Sequence, residues 1–301
     1  MSTPVTTADG IEISTKKSAN SLWKDARNRI LKNKVAVAAF FVIVFYVVMA
    51  LLAGAGLIAA DYNLTDTDKK WLAPSAEYLF GTDIFGRSVL QRAIHGSVIA
   101  VTVGFFAAII ALFIGVTMGA LAGYFGGWVD DSITWVYTTL DSIPYILLMA
   151  SFQFALGQGL SNLFIALGLT SWVTLCRLVR AEFLKQKQKE YVESARSLGA
   201  GHSRRIFLHI IPNVMHLGLI QFGLIFVSAI KIEVILSFLG LGVEAGVPSW
   251  GIMINEAKQE LQRGFWWNLG AATVFMFGLV LAVNLFNDAL RDALDPKLKN
   301  K

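Results

Sequence analysis

The sequence predicts an all-α integral membrane protein of about six spanning helices, because its apolar residues come in runs near the ~20 residues that cross a bilayer and its cations gather beside particular runs. Of 301 residues, 55% are hydrophobic and 16% charged, against about a quarter charged in a soluble domain. The net charge of +5 is mild, so the position of each cation carries the information, and nucleic acid is a poor reason for clusters set between apolar runs. Cys176 is the single cysteine. That excludes an internal disulfide framework or cysteine metal site, and its apolar setting reads as a small buried hydrophobe.

Residues 1–34 are polar and carry Lys16, Lys17, Lys24, Arg27, Arg29, Lys32 and Lys34 against Asp9, Glu12 and Asp25, as a cytoplasmic tail would. An anchor helix is expected over 35–60. Its apolar run is too long and too late for a cleaved signal, although Ala53-Gly54-Ala55 offers small residues. An extracytoplasmic loop, 61–97, holds Asp61, Asp66, Asp68, Glu77 and Asp83 against Lys69, Lys70, Arg87 and Arg92. A five-helix core, 98–290, follows, with spans expected at 98–122, 133–156, 160–179, 214–236 and 266–290, and residues 291–301 form a second cytoplasmic tail. Within the core, the loop 181–213 and its edges hold Arg177, Arg180, Lys185, Lys187, Lys189, Arg196, Arg204 and Arg205 against Glu182, Glu190 and Glu193. The second tail adds Arg291, Lys297, Lys299 and Lys301. An even number of spans puts these cation-rich segments and both termini on one side, as the positive-inside rule requires.

Gly115, Gly119 and Gly123 recur every four residues and offer one face for close helix packing. Trp71, Trp250, Trp266 and Trp267 fall near span ends, where an interfacial belt is expected. Asp141, Lys231 and Glu233 lie in or near spans, where ionisable groups are expensive. Lys231 and Glu233 are two apart and do not face each other on a helix, and a polar lining of a translocation path is one reading of Asp141 and Glu233.

In the inside loop, Tyr191, Val192, Ala195 and Leu198 make an apolar stripe on a short helix. Gly199 supplies a left-handed stop. A second short helix, with Ile206, Phe207 and Ile210 on its apolar side, is expected to end before Pro212. Such a pair of helices either lies on the lipid surface or docks another protein.

Glu190, Ser194, Ala195, Gly199, Ile211 and Pro212 resemble the cytoplasmic loop of permease subunits of ATP-binding-cassette (ABC) importers. Phe80-Gly81-Thr82-Asp83-Ile84-Phe85-Gly86-Arg87 is similar to the outside-loop signature of the second permease of dipeptide, oligopeptide and nickel importers, with Ser88 and Gln91 standing where that pattern has Asp and Ser. Ala122 to Asp130, Asp141 with Pro144, Leu236 to Gly242 with Pro248 to Gly251, and Leu290 to Pro296 continue the match in order. Ser21 to Arg27 leans toward the oligopeptide branch. The resemblance implies the type I ABC permease fold with cytoplasmic coupling helices, in the bacterial inner membrane. It implies four partner chains: a second homologous permease, two ABC ATPase subunits holding ATP and Mg, and an extracytoplasmic substrate-binding protein. This chain itself would bind no cofactor or metal and catalyse nothing. Peptides are the default cargo; nickel, glutathione or another small solute is the alternative, and a self-sufficient secondary transporter the remoter one.

Gly81 to Ser88 also reads as G-x-x-x-x-G-R-S, but Arg87 replaces the lysine of a phosphate loop and no buried strand precedes it. His202, His209 and His216 recur every seven residues without metal-ligand spacing.

Overall fold

The computed structural model describes residues 19–244 and 246–294; Lys16, Lys17, Lys297, Lys299, Lys301 and the Asp295-Pro296 pair lie outside them. The helices are α1 (Ala19–Lys32), α2 (Lys34–Gly54), α3 (Val89–Phe125), α4 (Gly127–Asp141), α5 (Tyr145–Leu156), α6 (Leu160–Thr170), α7 (Val173–Gln186), α8 (Glu190–Ser197), α9 (Ile211–Phe238), α10 (Trp250–Leu261) and α11 (Trp267–Leu294), with a π-helical segment, Arg204–Ile210, leading into α9. Five stretches are long and apolar enough to cross a membrane: α2, α3, α6 with α7, the π segment with α9, and α11. The pair α4 and α5 makes a sixth, bent by 92° at its break.

α2 starts where Asn33 caps it, its side chain accepting from the Val35 and Ala36 amides at 3.0 and 3.2 Å. It stops at Gly54 rather than running on to Ala60, because the chain turns through left-handed backbone at Gly56 and Ala59. α3 begins at Val89 rather than Val98. Its first turns carry Gln91, Arg92 and His95, which break the apolar run, but Arg92 is buried there by ion pairing rather than by hydrophobicity.

The expected continuous span over 133–156 is broken. Pro144 cannot donate an amide proton and disfavours helical backbone before it, so α4 ends at Asp141 and α5 starts at Tyr145. Met149 of α5 packs on Leu163, Ala166 and Leu167 of α6, while Tyr137 of α4 joins a separate cluster with residues of α2, α3, α9 and α11, so the two halves pack on different parts of the bundle. The second short helix does not end before Pro212. The π segment passes straight into α9 through the bond from the Ile211 amide to the Ile206 carbonyl, and Pro212 sits in the first turn of α9, where its missing N–H is harmless.

α3 contributes to all three apolar clusters and is the axis of the fold. Gly115, Gly119 and Gly123 face α7, as their spacing predicts. A Cβ at Gly119 would come within 2.6 Å of the Cys176 carbonyl, and one at Gly123 within 2.6 Å of the Phe183 Cβ, so the two backbones touch there.

Candidate functional site

Between α7 and α9 the chain builds a projecting element. α8 buries Val192 and Ala195, and Val192 joins Ile206, Ile210, Val214, Leu175, Val179, Phe183 and Ala120 in one cluster. That cluster ties α8 to the π segment, α7, α9 and α3. α8 ends in a Schellman motif: the Ala200 amide donates to the Ala195 carbonyl and the Gly199 amide to the Arg196 carbonyl, both at 2.9 Å, with Gly199 at φ +80°. Tyr191 is half-buried and its hydroxyl donates to Gln186 Oε1 at 2.9 Å. The expected apolar stripe splits here, because the cap turns Leu198 outward to 88% exposure. Phe207 is also exposed, leaving Ile206 and Ile210 as the buried face of the π segment. Glu190, Glu193, Ser194, Ser197 and Leu198 therefore line an open groove of about 550 Å³.

α4 is tied to one turn of α7 by two ion pairs from its opposite ends. Asp130 accepts from Arg180 at 2.5 and 2.6 Å, and Asp141 pairs with Arg177 at 2.6 Å, whose guanidinium also lies 4.7 Å from the Tyr137 ring centre. Asp141 and Arg177 are each about half exposed, at 48% and 46%, beside a cavity of about 380 Å³ at the helix break, lined by Ser142, Tyr145 and Thr170 among others. Sequence reading singled out Asp141 and missed its partner, because Arg177 belonged to a run of cations. Glu233 opens on no such surface. It is 1% exposed, accepts from the Ser237 hydroxyl at 2.7 Å and lies beside Ser249 at the start of α10; Lys231 points away from it and is exposed.

At the opposite end, the loop before α3 folds into a cap. Thr82 and Asp83 are fully buried. The Asp83 carboxylate accepts from the Phe85 and Arg87 amides at 2.9 Å each, from Arg87 Nε at 2.7 Å and from Arg92 Nη1 at 3.0 Å. Glu256 of α10 closes the ring, 3.1 Å from Arg87 and 2.9 Å from Arg92. The loop that superficially matched a phosphate cradle does gather anion-binding donors, but its own Asp83 fills them. Gly86, at φ +73°, turns tightly against the Asp66 carbonyl, where any Cβ would collide. Gly81 presses on the Leu72 carbonyl and Trp267 in the same way. Glu260 accepts from the Ile84 amide at 2.8 Å. Burial pushes the carboxyls of both Glu256 and Glu260 upward, partly offset at Glu256 by Arg87 and at Glu260 by the bond from the Ile84 amide.

Two of the expected belt tryptophans belong to this cap instead. Trp267 Nε1 donates to the Thr82 carbonyl at 2.7 Å and Trp250 Nε1 to the Ala93 carbonyl at 2.9 Å, both buried. Trp266 remains exposed. Glu256 and Glu260 carried no signal in the sequence, since their partners lie more than 150 residues away.

A helical membrane core with a projecting two-helix element at one end and a closed cap at the other is the architecture of a transport permease subunit. Residues 115–300 match the family described as binding-protein-dependent transport system inner membrane component, and residues 21–74 match the N-terminal transmembrane domain of oligopeptide transport permease C. The chain is 38% identical to the dipeptide transport system permease protein DppC of Bacillus subtilis (strain 168), over 95% of this chain and 89% of that protein. It is 37% identical to the oligopeptide transport system permease protein OppC of the same organism, over 94% and 92%. To the glutathione transport system permease protein GsiD of Pectobacterium atrosepticum it is 35% identical, over 94% of each. Among solved structures, a chain of the MetNI methionine ABC transporter shares the fold, with a TM-score of 0.55 at 14% identity over 68% of this chain and 97% of that one. The chain belongs to the binding-protein-dependent inner membrane permease family, and is a permease subunit of an ABC importer.

Proposed function

We propose that this subunit forms half of a peptide path and is driven by separate ATPase chains through α8. The observation that carries this is the contrast within α8: Val192 is buried in a cluster reaching α3, α7 and α9, while Glu190, Glu193, Ser194, Ser197 and Leu198 stand open to solvent. A partner that grips the outer face moves α8, and close-packed side chains transmit that displacement to the spanning helices rather than absorbing it. Gly199 ends the lever at its cap, and the π segment, running through Pro212 into α9, joins it to the spanning helices.

On this reading the α8 end and both termini are cytoplasmic, consistent with the cations around α7, α8 and the π segment. The cap faces outward and receives a cargo-loaded binding protein. A second, homologous permease completes the path, and two ATPase chains hold ATP and Mg. Dipeptide, oligopeptide and glutathione systems share this subunit type; peptides and peptide-like γ-glutamyl compounds are one chemical class, which favours peptide cargo over a metal ion. The half-exposed Asp141–Arg177 pair at the break between α4 and α5 supports a place on the path, whereas the enclosure of Glu233 supports a structural role.

The test is co-purification with the companion permease and ATPase chains, followed by cargo-stimulated ATP hydrolysis in proteoliposomes. Glu190→Lys and Leu198→Asp should leave the subunit folded but abolish stimulation. Peptide transport by the native chain with no ATPase bound would overturn the reading in favour of a secondary transporter.

A further inference from the structure

α9 is 28 residues long, about 42 Å at 1.5 Å per residue, so it exceeds the ~30 Å hydrocarbon core. Most of its surface is covered. Phe226 packs on Gly104 of α3, Gly223 meets Asn287 of α11, and Ala229, Ile232 and Leu236 pack with α5 and α6 residues. The arc left over runs between the α5–α6 side and the α11 side. It carries Leu217, Leu224, Ser228, Lys231 and Ile235, with Gln221 at its edge. Gln221 and Ser228 are seven residues apart and Lys231 three further on, so the three polar groups lie on one face.

Lys231 is exposed and has no ion pair among the described residues. It sits about 10 Å below the end of α9 at Phe238, counted at 1.5 Å per residue. The nearest acidic residue in sequence, Glu233, points to the opposite side and is enclosed. A lysine at that depth is tolerated facing protein or water rather than lipid, and a single lysine could reach the outer headgroups by snorkelling. Ser228, a turn deeper and also exposed, has no such recourse, and its alignment with Lys231 describes a face adapted to water, while Gln221, two turns further, is buried at the edge of that face.

We infer that this polar stripe of α9 faces the translocation path and that Lys231 receives a carboxylate of the passing cargo, the C-terminal carboxylate common to all unmodified peptides. The inference rests on the importer reading above and deepens it by assigning a charge preference to the path. An ammonium offers a point charge without fixed geometry, which suits a group that must bind cargo of varied side chains and let it go.

Two measurements on the assembled complex in proteoliposomes test this. In a chain whose buried Cys176 is replaced by Ala, Lys231→Cys and Ser228→Cys should both react with a charged, membrane-impermeant methanethiosulfonate reagent, while Phe113→Cys, on an exposed apolar part of α3, should not. In ATP-driven uptake, the preference of the native complex for a tripeptide with a free carboxylate over its C-terminal amide should fall about tenfold or more in Lys231→Gln, the size of a lost hydrogen bond to a charged group, and return in Lys231→Arg. The binding protein's own preference is common to all variants and cancels from that comparison.

Reaction of the Lys231→Cys chain but not of the Ser228→Cys chain would place the lysine in the headgroup layer and overturn the inference. So would an unchanged preference in Lys231→Gln. If the native complex shows no ATP-driven uptake at all, the importer reading itself fails; if it does and the stripe is unreactive, only the assignment of α9 to the path fails.

Discussion

The cap and the α8 element are both signature segments rich in charge, yet they treat that charge in opposite ways. In the cap, Asp83, Arg87, Arg92 and Glu256 pair their charges with one another within the chain, although Arg92 Nε stays buried without a hydrogen-bond partner among the described residues, and Trp250 and Trp267 bury their indole donors against backbone carbonyls. Around α8, the groove residues Glu190 and Glu193 and the exposed Arg196 have no ion partner among the described residues, and the large apolar Leu198 is left in solvent. A region that pairs its charges within the chain is a scaffold. A region that leaves them open is completed by another chain. The difference separates two kinds of motif that look alike in a sequence.

The sharpest way to break the comparison is to attack the scaffold. Asp83→Ala leaves the buried Arg87 and Arg92 with one carboxylate between them, and removing one partner of a buried pair costs about 3–5 kcal/mol. The thermal midpoint of the detergent-solubilised subunit should drop by more than for any substitution on the open face of α8. A midpoint unchanged within error would show that the cap's ring is ornamental. Trp267→Phe is the next smaller step: it keeps most of the buried ring but orphans the Thr82 carbonyl, so a loss of about 1–3 kcal/mol is expected from the same melting measurement.

What the sequence made legible divides along the same line. Helices whose stability comes from continuous apolar runs, α2, α9 and α11, could be read directly, as could the glycine face of α3 and the Gly199 stop. The early start of α3 could not, because Gln91, Arg92 and His95 look like a loop until Glu256 and Asp83 are brought to them from distant positions. Nor could the sharp bend between α4 and α5. Residues 133–156 read as one continuous span despite Pro144, and neither the 92° angle nor the ion pairs that tie the two ends of α4 to Arg177 and Arg180 could be read from the apolar run. At the candidate site, the residues of α8 were legible because a single helix with one capping glycine is local. The partners of Asp141 and the enclosure of Glu233 were not, because they depend on packing between helices.

Glu260 offers a gentler probe of the scaffold. Burial raises its carboxyl above the ordinary glutamate value of 4.5, so the folded state holds the proton more tightly than the unfolded chain. Below about 4.5 both states are protonated and burial of the group costs no ionisation; as pH rises through the raised value, the folded state loses stability. The subunit should therefore melt at progressively lower temperature as pH increases from mildly acidic to neutral. Glu260→Gln retains an acceptor for the Ile84 amide and should flatten this slope. Part of it should remain, because Glu256 is raised in the same direction. A slope identical to that of the native chain would assign the pH dependence elsewhere.

The smallest stability effect is expected where the functional effect is greatest. Leu198 makes no buried contact in the isolated subunit, so Leu198→Asp should shift the melting midpoint by no more than other surface substitutions, within about 0.5 kcal/mol. The same change sets a charge on an apolar contact offered to the ATPase and should abolish cargo-stimulated hydrolysis. Val192→Asp must behave differently, since it puts a charge into the cluster shared with Ile206, Ile210 and Phe183 and should destabilise the subunit itself. If Leu198→Asp destabilised the isolated chain as much as Val192→Asp, the outer face of α8 would be part of the fold and the proposed division between scaffold and docking surface would collapse. If it left both stability and stimulated hydrolysis intact, the ATPase would have to grip some other part of the loop, and the exposed Phe207 of the π segment would be the next position to alter.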